Sequence, residues 1–203
     1  MKLERRFTNT EAGPVGIETR EDGSRVLTGY GAVFYKKSGK GTEYRLWDDL
    51  VERIAPTAFD RALSESDDAR GLFNHDPNKL LGRVSAKTMR LSVDKRGLKY
   101  EIDIPETTTG ADVAMMVSRG DLTGSSFSFV PEKVTWTEEK KQEVRLIESV
   151  RLFDTGPVTY PAYDSTTTGV RSEGEIEDIR QERDAWKASL VKPEQIHKPG
   201  HML

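Results

Sequence analysis

Short runs rich in apolar, β-branched and aromatic residues recur along the first 160 residues, and in some of them hydrophobic and polar positions alternate with a period of two, a pattern typical of strands with one buried face. Residues 97–104 are the clearest case, because the apolar positions 98, 100, 102 and 104 alternate with polar ones. Further strands are predicted at residues 25–34, 44–54, 80–85, 88–93, 125–130, 134–137, 144–153 and around 158. The pattern therefore predicts a mainly β body.

Helical spacing replaces this alternation in three segments. A short helix is predicted from Pro56, because proline suits the first helical position. Residues 109–119 predict a second helix, capped by Thr109 and ended by Gly120. The charged residues 175–190 predict a third helix, whose narrow apolar stripe suggests that it docks on a partner or frays.

The distribution of these elements predicts the domain organisation. Residues 1–24 are polar, contain at most one predicted strand, and are interpreted as an N-terminal extension. Residues 25–171 form the predicted β body with two short helices, and residues 172–203 form a charged helical or flexible tail. Because a sheet of many short strands has exposed edges, we expect a closed barrel or a strongly curled sheet.

Composition excludes several classes of function. The 203 residues include 31 basic and 34 acidic side chains that are intermixed, so no sustained basic run is available to follow a nucleic acid backbone. The absence of cysteine excludes a disulfide framework and thiol catalysis. No stretch has the length and hydrophobicity of a signal peptide or a membrane span. We therefore expect no nucleic acid partner, no membrane association and no secretion.

One histidine stands out as a candidate general base. His75 is the only histidine of the predicted body and lies in a polar run, residues 73–77, whereas His197 and His201 lie in the tail. Imidazole is the side chain whose unperturbed pKa lies nearest to neutral pH, which suits proton transfer. A single body histidine without ligand spacing does not predict a metal site, and no cofactor is expected.

A serine-rich run about 50 residues downstream supplies a candidate nucleophile. In residues 120–129, successive side chains of a strand point to opposite faces, so Ser126 and Ser128 share one face while the phenylalanines share the other. Ser126 follows Gly124 closely, and a glycine allows a substrate carbonyl to approach the main chain. Ser126 is therefore the better-placed nucleophile, with Ser128 one step further along the strand.

A carboxylate is needed to orient the imidazole of such a pair. Asp154 is the first candidate, because strand parity places it on the face of Val150 and Leu152, where it can be partly buried. Glu148 has the same parity and is the alternative. Asp76 adjoins His75 and is expected to cap its own loop.

Six sequence runs, taken in order, carry a family resemblance. They are residues 29–34 (GYGAVF), 52–59 (ERIAPTAF), 72–76 with 81–83 (LFNHD, LGR), 94–98 (DKRGL), 119–127 (RGDLTGSSF) and 158–163 (VTYPAY). Their order and spacing resemble those of the HK97-type prohead proteases of tailed bacteriophages, over about residues 27–171. The resemblance implies a serine endopeptidase with His75 as the general base, Ser126 as the nucleophile and Asp154 at the acidic position.

The same resemblance implies a fold and a substrate. The fold would be a closed β-barrel related to the herpesvirus capsid-maturation proteases. The substrates would be the scaffold segment of the phage major capsid protein and the protease itself, inside the procapsid in the host bacterial cytoplasm. Two residues depart from the usual motifs: Thr57 replaces a glycine at the start of the first helix, and Ser128 replaces a glycine in the site, where its side chain could narrow the cleft.

Two alternative functions remain open from the sequence. A catalytically silent protein could keep the fold and bind capsid or scaffold subunits through the helix at residues 175–190. A general housekeeping protease would instead cleave unrelated proteins.

Overall fold

The computed structural model describes residues 2–8, 10–47, 49–65, 67–160 and 173–190. His197, His201 and residues 161–163 lie outside these ranges. Two compact units divide the chain, Met1–Arg171 and Ser172–Leu203. No helix within the described ranges is both long and apolar enough to cross a bilayer.

Eleven strands and three helices make up the described residues. The strands are β1 (Glu4–Thr8), β2 (Gly16–Thr19), β3 (Arg25–Val33), β4 (Tyr44–Trp47), β5 (Leu50–Ile54), β6 (Arg70–Leu72), β7 (Leu80–Arg83), β8 (Met89–Val93), β9 (Gly97–Asp103), β10 (Gly124–Glu139) and β11 (Gln142–Val158). The helices are α1 (Asp60–Ser64), α2 (Thr108–Arg119) and α3 (Glu173–Leu190). The first unit contains all the strands with α1 and α2, and the second contains α3. The prediction of a mainly β protein with short helices in its body is confirmed.

The strands form two open sheets. One sheet has the order β1-β10-β11-β5-β4, with β6 pairing β11 and β7 pairing β6, and the other has the order β2-β3-β9-β8. The expected closed barrel is therefore wrong: among the described residues no ladder joins the two sheets or closes either one, and the likeness to the herpesvirus fold is not seen. The first sheet ends at β1 and β4 and the second at β2 and β8, and within the described ranges no pairing joins these edge strands. Within the first sheet, the second edge of β11 pairs with β5 along residues 143–147 and with β6 at residues 154–155.

Most of the predicted strands and helices are present, and a few differ in number or in their first residue. Residues 1–24 contribute two strands, and β1 pairs with β10 along its whole length. The three-residue strand β6 was not predicted, because so short a run has no detectable period. Helix α1 begins at Asp60 after a turn rather than at Pro56. Helix α2 is capped by Thr107, whose hydroxyl accepts the N–H of Gly110, instead of by Thr109.

A glycine on β3 lets a side chain of the other sheet approach its backbone closely. A Cβ atom added at Gly31 would lie 2.2 Å from the hydroxyl of Thr155 on β11, and within the second sheet one added at Gly29 would lie 2.4 Å from the hydroxyl of its cross-strand partner Tyr100. Only glycine permits such proximity. On the second sheet, a buried apolar cluster packs against α2 through Val113 and Val117.

A buried ionic cluster fixes β1 to the first sheet. Arg6 donates to both carboxylate oxygens of Glu52, from Nε at 2.6 Å and from Nη2 at 2.9 Å, and also to Glu4. Arg145 donates to Glu52 at 2.6 Å and to Glu4 twice at 2.9 Å. These four side chains are between 0% and 7% exposed. The cluster therefore joins β1, β5 and β11 by charge pairs that water does not screen.

Candidate active site

The loop between β6 and β7 carries His75. Asn74 and His75 both have a φ of 56°, in the left-handed region that non-glycine residues seldom adopt. The Asn74 side chain holds this conformation, because its amide donates to the Thr159 hydroxyl at 2.9 Å and its carbonyl accepts the Thr159 N–H at 2.8 Å. Asp76 accepts the N–H of Asn78 at 2.9 Å, which confirms that it caps its own loop.

The imidazole of His75 lies between a carboxylate and a hydroxyl. Its Nδ1 bonds to Asp154 Oδ1, and its Nε2 lies 2.6 Å from Ser126 Oγ. The side chains of His75 and Asp154 are 6% and 11% exposed, so both groups lie largely out of bulk water. The structure thus brings together the three residues that the sequence analysis selected, although 51 and 79 positions separate His75 from the other two.

Ser126 lies on β10, directly opposite Phe7 of β1, and is fully buried. Its hydroxyl has a second acceptor, because Oγ also donates to the main-chain carbonyl of Arg6 at 2.9 Å. The ring of Phe7 stands edge-on to the His75 ring, with 6.3 Å between centroids. One hydroxyl proton is therefore shared between the imidazole and a carbonyl of β1.

A β-bulge places Asp154 on the same face as the serines. Ser128 pairs with Asp154, but the next residue, Phe129, pairs with Leu152, so Phe153 is an extra residue on β11. Because Ser128 and Phe129 point to opposite faces, the bulge turns Asp154 to the side opposite Leu152. The strand-parity argument that grouped Asp154 with Leu152 is therefore wrong, although the residue it selected does contact His75.

Glu148, the alternative carboxylate, lies elsewhere on β11. It accepts a hydrogen bond from Thr135 at 2.9 Å and pairs with Lys133 at 2.5 Å. The hydrogen bond from Lys133 lowers the pKa of Glu148 below its usual value. Glu148 therefore bonds to Lys133 and Thr135 on the half of the β10–β11 hairpin nearer the turn, and it does not contact His75.

The prediction that Ser126 and Ser128 share a face is confirmed. Both hydroxyls contact His75, whereas Phe127 and Phe129 stack on the other side with centroids 4.7 Å apart. Ser128 Oγ lies 3.0 Å from Nδ1, the ring nitrogen that does not face Ser126.

The main chain around Ser126 is held from the second sheet and from β11. The hydroxyls of Tyr100 and Ser125 lie 2.8 Å apart, and the Thr155 hydroxyl donates to the carbonyl of Ser126 at 2.9 Å. Burial raises the pKa of the Tyr100 phenol, which keeps the group neutral beside the site. These contacts hold the main chain of β10 in place around Ser126.

Gly156 allows the His75 loop to lie against β11. It is the cross-strand partner of Ser126, and a Cβ atom there would lie 2.2 Å from the carbonyl oxygen of Leu72. Leu72 is three residues before His75. A side chain at position 156 would therefore push this loop away from Ser126.

Gly156→Ala is expected to destabilise the protein by about 1–3 kcal/mol through overpacking, and to slow any reaction that needs contact between His75 and Ser126. Urea unfolding and the rate of serine labelling by a fluorophosphonate would measure the two effects. Gly16→Ala is the matched control, because the nearest atom to its added Cβ lies at 3.8 Å, an ordinary contact distance. Equal behaviour of the two variants would contradict this account.

The site has the groups required for nucleophilic catalysis. Because a carboxylate can only accept, the proton of neutral His75 lies on Nδ1, toward Asp154, and the lone pair of Nε2 faces Ser126. A base within hydrogen-bond reach of a hydroxyl, itself oriented by a third group, is the arrangement that activates a serine. No group of three or more potential metal ligands occurs among the described residues.

The sequence and the structure were compared with known proteins, and two of the three comparisons found a match. The model of the Caudovirus prohead serine protease family matches residues 14–182. Among solved structures, the chain is similar to the bacteriophage T4 capsid assembly protease, with 12% sequence identity and a TM-score of 0.45. That similarity covers 77% of this chain and 97% of the T4 chain. No curated protein matches the sequence.

Proposed function

The chain belongs to the Caudovirus prohead serine protease family, whose model matches most of its length, and on this premise we propose that Ser126, His75 and Asp154 are its catalytic residues. The observation that carries the proposal is the continuous chain of contacts from Asp154 through both nitrogens of His75 to Ser126 Oγ. Family membership supports proteolysis, and the contacts support these three residues as the groups that perform it.

In the proposed mechanism, Ser126 Oγ attacks a peptide carbonyl carbon while His75 Nε2 takes the hydroxyl proton. The imidazolium that results is stabilised by Asp154 at Nδ1, and it then donates its Nε2 proton to the leaving amine. The peptide C–N bond breaks, which leaves an ester on Ser126. Water attacks this ester with His75 as the base, and the hydroxyl of Ser126 is restored.

The hydrogen bond from Ser126 to the Arg6 carbonyl sets a condition on this mechanism. A hydroxyl has one proton, so a hydroxyl that donates to the carbonyl cannot at the same time donate to Nε2. Attack therefore proceeds from the arrangement in which the proton is directed to His75, 2.6 Å away, rather than to Arg6.

The substrates in this proposal are the scaffold segment of the phage major capsid protein and the protease itself. Cleavage would take place inside the procapsid, in the cytoplasm of the infected bacterium. Self-cleavage after Arg171 would release the charged helix α3 from the β unit. The contacts of His75 with a carboxylate at Nδ1 and a hydroxyl at Nε2 favour an active protease over a catalytically silent assembly protein.

Co-expression with a phage capsid precursor tests the substrate proposal. We expect intact-mass measurements to find a shortened capsid protein and a protease that has lost its C-terminal segment. The Ser126→Ala variant should leave both masses at full length. Shortened products in that variant would contradict the assignment of the nucleophile, and cleavage of unrelated host proteins would favour a housekeeping protease instead.

A further inference from the structure

The hydroxyl of Ser128 has no part in the mechanism described above, although it contacts the same imidazole. Ser128 is fully buried on β10, two residues after Ser126. Its Oγ lies 3.0 Å from His75 Nδ1, and Arg5 Nε donates to the same oxygen at 3.3 Å. Nδ1 therefore faces two side-chain oxygens, one from Asp154 and one from Ser128.

The donor and acceptor roles follow from the chemistry of these neighbours. Asp154 can only accept, so the Nδ1–H proton must be present, and Ser128 Oγ faces this proton as an acceptor. Arg5 has only donors, which also fixes the Ser128 oxygen as an acceptor on its other side. The Ser128 lone pairs are thus directed toward two N–H groups.

Strand register explains why the contact forms. Ser128 is the cross-strand partner of both Arg5 on β1 and Asp154 on β11, so all three side chains lie on the face of the sheet that His75 covers. The bulge at Phe153 is what brings Asp154 to this face. Glycine at position 128 would leave Asp154 alone to orient the ring.

We infer that Ser128 is a positioning residue, which shares the Nδ1–H of His75 with Asp154 and keeps the imidazole turned so that Nε2 faces Ser126. This inference rests on the proposed triad of Ser126, His75 and Asp154. Ser128 supplies a second acceptor, beside Asp154, at the Nδ1 side of the ring. Ser128 acts through His75 and touches neither the substrate nor the bond that breaks.

The test uses a fluorophosphonate probe, which reacts with an activated serine and requires no knowledge of the natural substrate. In the full-length Ser128→Ala variant, we expect the maximal labelling rate of Ser126 to fall about tenfold, with little change in the probe concentration that gives the half-maximal rate. This separation is typical of an orienting role, because a narrowed or widened cleft would change probe binding.

Thr42→Val is the control. Thr42 is buried in the loop between β3 and β4, and its hydroxyl accepts the Lys36 N–H at 3.0 Å and donates to the Gly39 carbonyl at 2.8 Å. We expect this variant to lose stability in urea, because a buried hydroxyl is removed, and to retain the labelling rate of the wild type. A wild-type labelling rate in Ser128→Ala, or an equal loss in Thr42→Val, would overturn the inference.

A spectroscopic measurement separates this inference from the proposed function. In protein with ¹⁵N-labelled histidine, the Nδ1–H resonance of His75, assigned by its loss in His75→Gln, is expected to move in Ser128→Ala and to stay in place in Thr42→Val. An unmoved resonance in Ser128→Ala would overturn the inference whether or not the wild type is labelled. Failure of the probe to label the wild type at Ser126 would overturn the proposed function alone.

Discussion

Ser126→Ala is expected to lower the rate of peptide cleavage by about 10⁶, and adding His75→Ala to it should lower the rate no further. The base and the nucleophile act as one unit, because His75 Nε2 has no proton to take once the hydroxyl 2.6 Å away is removed. The measurement is the rate of capsid-precursor cleavage by the two single variants and the double variant. Additive losses would show that the two residues act in separate steps.

The orienting carboxylate offers a second comparison within this prediction. Asp154→Asn is expected to cost about 10⁴ in rate, because an amide can present its N–H to Nδ1 and favour the wrong tautomer of His75. Glu148→Gln is the matched control on the same strand, since its carboxylate pairs with Lys133 and Thr135. Cleavage by Glu148→Gln should equal that of the wild type, and a large loss there would contradict the assignment of Asp154.

Glu52→Gln is expected to lower the free energy of unfolding by about 3–5 kcal/mol. The Glu52 side chain is fully buried and accepts from Arg6 and Arg145, so its neutralisation removes one negative charge from beside two buried guanidiniums. Burial alone would lower the pKa of Arg145, but the attraction of Glu52 and Glu4 raises it, so this arginine stays charged. Urea unfolding followed by tryptophan fluorescence would measure the loss.

An exposed ion pair is the control for this effect. Asp121 pairs with Arg119 at 3.1 Å, and their side chains are 48% and 67% exposed. Solvent weakens such a pair, so Asp121→Asn should leave the unfolding midpoint unchanged within error. Equal midpoints for Glu52→Gln and the wild type would mean that the buried cluster contributes no more than a surface pair.

More of the candidate site than of the surrounding fold could be predicted from the sequence. Period-two alternation was enough to place Ser126 and Ser128 on one face, because β10 is regular across these positions. Asp154 was selected because strand alternation placed it on the face of Leu152, but the bulge at Phe153 turns it to the opposite face. A bulge adds one residue without a distinctive sequence signal, so parity cannot be carried across it.

Sheet closure and the buried ionic cluster were beyond the reach of the sequence pattern. Alternation predicts which face of a strand is buried, but it contains no information on which edges pair, and β11 divides one of its edges between β5 and β6. The cluster had one usable signal. Glu52 lies in β5, whose residues other than Glu52 and Arg53 are apolar, and a charge in such a strand requires an opposite charge nearby. Arg6 gave no such signal, because it lies in a polar segment of the sequence.

The position of β1 has a practical consequence for how the protein is produced. The family match begins at residue 14. A fragment cut to the matched residues would therefore retain Ser126, His75 and Asp154 and lose the whole of β1. Such a truncation would remove Arg6, the partner of Glu52, and Glu4, a partner of Arg145. It would also expose the edge of β10 and remove the Arg6 carbonyl that accepts the Ser126 hydroxyl. Affinity tags and domain limits are therefore better chosen to preserve the first eight residues.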